Sequence, residues 1–195
     1  MTACLLLAAL SAGSVVSAEE GPFRPDTVLD ATTGDWNRDG AQDLALLAFS
    51  GPEEYMQMGV YIYLRDKERN LLELALAAPG KVWGSRQSYG QEPSIRALDN
   101  GSIAIATQNF GIGRERWEHT LSLAYRNGRF VVAGLTFSYF DSLEEYESLD
   151  CDLNLLTGKG IINDKPAAFP AMSLALDEWE TTEGDDPGTR ICRGR

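Results

Sequence analysis

The chain has 195 residues, 44% of them hydrophobic and 24% charged, and a formal net charge of −12. This length supports one well-buried core, and the composition excludes wholesale disorder. So acidic a chain repels phosphate backbones and anionic headgroups, which argues against nucleic acid or a membrane surface and suits solubility, cations or a basic protein partner.

Residues 1–18 carry no charge, and Ala3 through Leu10 form an apolar run too short to span a bilayer as a helix. Small residues follow, ending in Val16-Ser17-Ala18, which matches the −3 and −1 positions of a signal-peptidase site. The expectation is a signal peptide over 1–18, a mature chain from Glu19, and a periplasmic or secreted protein with no membrane anchor after cleavage. Cys4 leaves with the signal. One domain, 19–195, is the simplest organisation of the rest. Its lead-in, Gly21-Pro22-Phe23-Arg24-Pro25, is too rigid and polar for a helix.

Residues 35–43 read Asp-Trp-Asn-Arg-Asp-Gly-Ala-Gln-Asp. Asp35, Asn37, Asp39 and Asp43 are oxygen donors at positions 1, 3, 5 and 9 of a loop, and the Ala41 carbonyl falls at position 7. Calcium takes six to eight hard oxygen ligands, and alternate residues of a tight loop can turn theirs inward. Gly40 permits the reversal at position 6. An EF-hand needs a bidentate glutamate at position 12, where this chain has Leu46, followed by more strand-like sequence. The stretch 34–46 instead resembles the FG-GAP (VCBS) repeat, which sets a calcium turn just before a β-strand. The resemblance implies a Ca²⁺ site at Asp35, Asn37, Asp39, Ala41 and Asp43. It covers about thirteen residues in a single copy, so it does not imply a β-propeller. The remainder resembles small exported bacterial proteins with one such turn and a β-sheet body.

Beyond the turn the chain reads as strands. Leu44–Phe49 is a short apolar run bounded by Asp43 and Ser50-Gly51-Pro52, and Val60–Leu64 is β-branched and aromatic. A polar turn at 66–70 leads into a returning strand over 71–77. Asn-Gly pairs at 100–101 and 127–128 accept the positive φ of type I′ turns, predicting hairpins between 95–98 and 102–106 and between 120–125 and 130–135. A third hairpin is expected between 153–156 and 160–162. Single helical turns are possible at 142–146 and 173–179. The fold class is all-β, mainly antiparallel, with about eight to ten strands and little helix.

The stretch 177–195 is acidic and poor in apolar residues, which predicts a solvated tail unless its far end is tethered. Cys151 and Cys192 supply the tether if they form a disulfide, as an even pair in an exported protein favours; the alternative is two free thiols. Such a bridge would contribute about 4 kcal/mol in the chain-entropy model. Zinc is poorly served, since His119 is the only histidine.

No catalytic set emerges. His119 on a strand reads as a solvated or hydrogen-bonded side chain, and no Gly-x-Ser-x-Gly elbow or phosphate loop accompanies it. Glu144, Glu145 and Glu147 read as a solvated face. Trp83, Trp117 and Tyr89 with Arg86 could line a binding surface. The leading expectation is therefore a non-catalytic, calcium-braced binding module. The alternatives are an envelope hydrolase using surface carboxylates or His119, and an inhibitor or immunity protein for a basic enzyme or toxin.

Overall fold

The computed structural model describes residues 24–50, 57–84, 89–181 and 186–194. The expected signal peptide lies outside them. After a 3-10 turn at Pro25–Thr27, eleven strands follow: β1 Val28–Gly34, β2 Asp43–Ser50, β3 Gln57–Asp66, β4 Leu71–Val82, β5 Ser94–Ala97, β6 Ile103–Asn109, β7 Glu115–Arg126, β8 Arg129–Asp141, β9 Glu144–Asn154, β10 Lys159–Ile162 and β11 Lys165–Ala168. One short helix, α1 Pro187–Cys192, closes the order. The strands make two antiparallel meanders, a four-stranded sheet β1-β2-β3-β4 and a seven-stranded sheet running from β5 to β11.

The all-β expectation holds, with one strand more than expected. The strands that carry no such expectation are β1 and β11, and β9 runs from Glu144 where a strand was expected only from 153. β1 is mostly exposed and polar in alternation, and β11 carries Pro166, so neither shows the apolar run that marks a buried strand. β1 earns its place through side chains. Asp30 Oδ2 accepts the Ile95 amide at 2.8 Å and Thr32 Oγ1 accepts the Ala97 amide at 3.0 Å, tying the edge of the first sheet to the edge of the second. The helical turn expected at 142–146 is instead the link from β8 to β9, with Ser142 and Leu143 turning and β9 beginning at Glu144. Asp141 organises that link by accepting the Leu143 amide at 2.9 Å and pairing with Arg114 at its other oxygen.

Both Asn-Gly hairpins form, through different turns. Asn127 and Gly128 both have positive φ, 52° and 81°, and join paired Arg126 and Arg129, as a two-residue type I′ loop requires. At 99–101 only Gly101 has positive φ, and Leu98 brackets a three-residue loop by donating to Ser102 and accepting from Gly101. Type I′ was therefore the wrong turn there. The extra residue, Asp99, lets a right-handed turn close with one left-handed glycine after it.

The core lies between the sheets. Ala45, Leu47, Val60, Ile62, Leu76 and Ala78 of the first sheet share one apolar cluster with Ile103, Ile105, Leu121, Leu123, Leu135 and Leu153 of the second. The C-terminal stretch belongs to that cluster as well. Trp179 is fully buried, α1 buries Gly188, Thr189 and Cys192, and Cys192 is bonded to Cys151 of β9. The described part of 177–195 is thus a strap, anchored as the tethered reading required. Its acidic composition concealed two anchors, one aromatic and one covalent.

Candidate functional site

The aspartate turn is built by its own carboxylates. Asp35 Oδ1 and Asn37 Oδ1 both accept the Asp39 amide, at 3.0 and 3.1 Å, so these two oxygens converge on one point. Asp35 Oδ2 accepts the Gly40 amide at 2.9 Å, and Asp39 Oδ1 accepts the Ala41 amide at 2.8 Å. The bond from the Ala41 amide first, and then Asn37 Nδ2 donating to Asp39 Oδ2 at 2.9 Å, hold the Asp39 carboxyl below its ordinary range. Arg38 and Gly40 take the positive φ values, 61° and 88°, that reverse the chain. Trp36 points the other way, into the core, where it meets Phe130 edge-on at 6.4 Å. Its ring lies over Gly34, where a Cβ would stand 2.8 Å from the indole nitrogen.

Asp43 differs from the other three donors. It is 1% exposed, and its two oxygens accept the Trp36 amide and the Arg65 amide, each at 3.0 Å. It knits the turn to β3. The Lys67 ammonium donates to the Asp39 carbonyl, so one positive charge already serves the turn. Among the described residues, no three His, Cys, Asp or Glu side chains are gathered closely enough to hold a metal without other donors. Asp35, Asn37 and Asp39 bring oxygen donors only, the kind calcium takes, and each already accepts a backbone amide of the turn. Ala41 enters the turn through its amide, and Asp43 has two backbone bonds to give up or share.

A second site lies between the sheets, beneath the strap. It is a cleft of ≈ 580 Å³ walled by the end of β4, by β6, β7 and β8, and by α1 with its flanks. Strand periodicity selects its lining: Glu115, Trp117, His119 and Leu121 are alternate residues of β7 and face the cleft, whereas Glu118 and Thr120 face a shallower groove on the outer surface with Asp150, Asp152 and Asp164. Trp83 and Trp117 meet at 4.7 Å between ring centroids, forming an aromatic wall. Phe137, opposite His119 on β8, continues it, with 6.2 Å between those two rings.

His119 is held by the strap. Its Nε2 lies 3.0 Å from Asp186 Oδ2, which also accepts the Thr189 hydroxyl at 2.7 Å. Asp186 Oδ1 accepts the Gly188 and Thr189 amides at 2.8 and 3.0 Å, which makes it the N-cap of α1, with Pro187 at the first helical position. Burial alone would raise the Asp186 carboxyl, but the hydrogen bond and charge of His119, together with Thr189, outweigh it and hold the carboxyl below its ordinary value. An ionised carboxylate only accepts, so the shared hydrogen belongs to His119 Nε2. At the other end of the cleft, Lys81 Nζ donates to the Trp179 carbonyl at 2.7 Å. Arg193 stands over the rings of Phe137 and Tyr139, 5.7 and 5.8 Å from their centroids.

Of the expected binding surface, the fold brings Trp83 and Trp117 together and leaves Tyr89 outside, 87% exposed; Arg86 lies outside the described residues. His119 is the hydrogen-bonded strand histidine that was expected. Among the described residues, no serine or cysteine bonds to it. Glu144 is exposed and reaches Arg114 at 3.4 Å. Asp186, Thr189, Arg193 and Lys81 were all missed. A signal existed for the first: Asp186-Pro187-Gly188-Thr189 has the acid-then-proline order of a helix start. No protein-family model matches the chain, and no curated protein or solved structure matches it.

Proposed function

We propose that the protein is an exported, non-catalytic binding module that takes a small ligand in the cleft under its C-terminal strap. The observation that carries this reading is the ≈ 580 Å³ cleft, walled by Trp83, Trp117 and Phe137 and edged by Lys81, His119 and Arg193. Ligand sites commonly have this size and this mixture of apolar wall with a few convergent polar groups. The disulfide and the buried strap hold the cleft's roof in place before any ligand arrives, which lowers the ordering cost of binding. A screen of small amphipathic compounds by ligand-observed NMR tests the reading. Hits are expected to lose binding to the Trp117→Ala protein. If every hit binds that variant as well as wild type, the cleft is not the site.

Calcium bound at the aspartate turn is proposed as a brace, with Asp35, Asn37 and Asp39 as its side-chain ligands. The convergence of Asp35 Oδ1 and Asn37 Oδ1 on one amide favours it. Calorimetric titration of the mature protein with calcium is the test, and no heat at millimolar calcium would remove the brace from the proposal.

A hydrolase is the second reading, favoured by the Asp186–His119 pair, an arrangement that orients an imidazole for base chemistry. Screening wild type against His119→Gln for ester and amide hydrolysis separates the two readings. An activity lost in that variant would replace the binding module by an enzyme.

A further inference from the structure

We propose that the cleft selects a monocarboxylate with an aromatic or aliphatic body, Arg193 receiving the carboxylate and the Trp83–Trp117 wall receiving the body. The inference rests on the binding-module reading and specifies its ligand.

Arg193 carries the argument. In a chain of net charge −12, its guanidinium forms no ion pair and no side-chain hydrogen bond among the described residues. It stands instead over the rings of Phe137 and Tyr139. A guanidinium on an aromatic face presents a planar fork, which suits a carboxylate. Its backbone is held on the N-terminal side. The Arg193 amide donates to the Thr189 carbonyl at 3.0 Å, and the preceding residue is the bridged Cys192. Little backbone freedom is left for a ligand to freeze.

The cleft is charged unlike the rest of the molecule. Among the described residues, Lys81 and Arg193 line it against one uncommitted acid, Glu115, because the Asp186 carboxylate is occupied by His119, Thr189 and two helix amides. Phe137 touches both His119 and Arg193, so the two basic side chains flank one ring. A single negative charge is matched there, whereas a dianion would also meet Glu115 and Asp186. The apolar wall, its two indoles in contact at 4.7 Å between centroids, then asks for a body with a flat or flexible apolar surface.

The test uses 4-phenylbutanoate and its neutral counterpart, 4-phenylbutan-1-ol, titrated calorimetrically into the oxidised mature protein. The carboxylate is expected to bind at least about tenfold more tightly than the alcohol, as a charge-assisted pair with arginine predicts. Arg193→Gln, an exposed position, is expected to abolish that difference. Trp117→Ala is expected to weaken both compounds equally. Equal binding of acid and alcohol to wild type, or a preference that survives in Arg193→Gln, overturns the carboxylate assignment and leaves the cleft as a binding site. Binding of neither compound overturns the carboxylate assignment, while the binding-module reading stands or falls by the amphipathic screen against Trp117→Ala.

Discussion

Asp43 and Asp186 are two buried aspartates, 1% and 5% exposed, doing the same elementary job in different places. Each spends both carboxylate oxygens on neighbouring donors, and each pins an irregular segment to the second element it touches. Asp43 takes the Trp36 amide seven residues away and the Arg65 amide on the adjacent strand. Asp186 takes two amides of its own helix turn and, 67 residues away in sequence, His119. The first segment is closed mainly by local bonds and reads as a motif. The second needs a partner from another sheet strand and a disulfide, and its sequence reads as a solvated tail. Local bonding makes a segment recognisable, and distant bonding makes a cleft.

The contrast can be broken experimentally, starting where the effect is largest. Replacing Cys192 by Ser should free the strap and cost about 4 kcal/mol, or roughly 8–16 °C in Tm. Thermal unfolding of oxidised wild type and the variant measures it. A drop under about 2 °C would mean that Trp179 alone holds the strap. Asp43→Ala strands two backbone amides at a buried position and is expected to cost about 3 kcal/mol by urea denaturation.

Asp186→Ala should cost about 2 kcal/mol, the loss of an N-cap and of the bond to His119 in a helix of only six residues. If it costs more than Asp43→Ala, the strap rather than the turn is the stronger anchor. The pH dependence has a definite sign. The folded Asp186 carboxyl lies below its ordinary value, so its contribution is fully present above the unfolded value of about 3.9 and fades as pH falls through the folded one. The stability gap between wild type and Asp186→Asn should therefore shrink below about pH 4. A gap constant from pH 7 to pH 3 would mean that the carboxylate charge plays no part.

The smallest effect concerns the turn. Calcium at ten times its dissociation constant is expected to raise wild-type Tm by about 3–5 °C and to leave Asp39→Ala unmoved. An equal shift in both proteins would place the calcium elsewhere.

Much of the strand order was legible because the strands state themselves locally. Val60–Leu64 is β-branched and aromatic, and Asn127-Gly128 fits a two-residue turn that few other pairs adopt. The aspartate turn was legible for a related reason: its donors lie within nine residues, and most of their bonds close inside them. β1 was missed because its stabilising contacts are the Asp30 and Thr32 side chains reaching β5, which no window around residue 30 contains. His119 was visible as a residue without a visible role, since what defines it is Asp186.

The sequence by itself determined the all-β class, the two Asn-Gly hairpins, the closing of the 35–43 turn and the pair of cysteines available for bridging. Tertiary structure alone decided that the acidic C-terminus would be a strap, that Trp83 would meet Trp117, and that Lys81, His119 and Arg193 would line one cleft. The physical reason is range. Turn chemistry and strand periodicity act over a few residues, where chain connectivity supplies proximity without further cost. A cleft between sheets depends on side chains brought together only after the core has closed, and its charge pattern is set by which of them find partners.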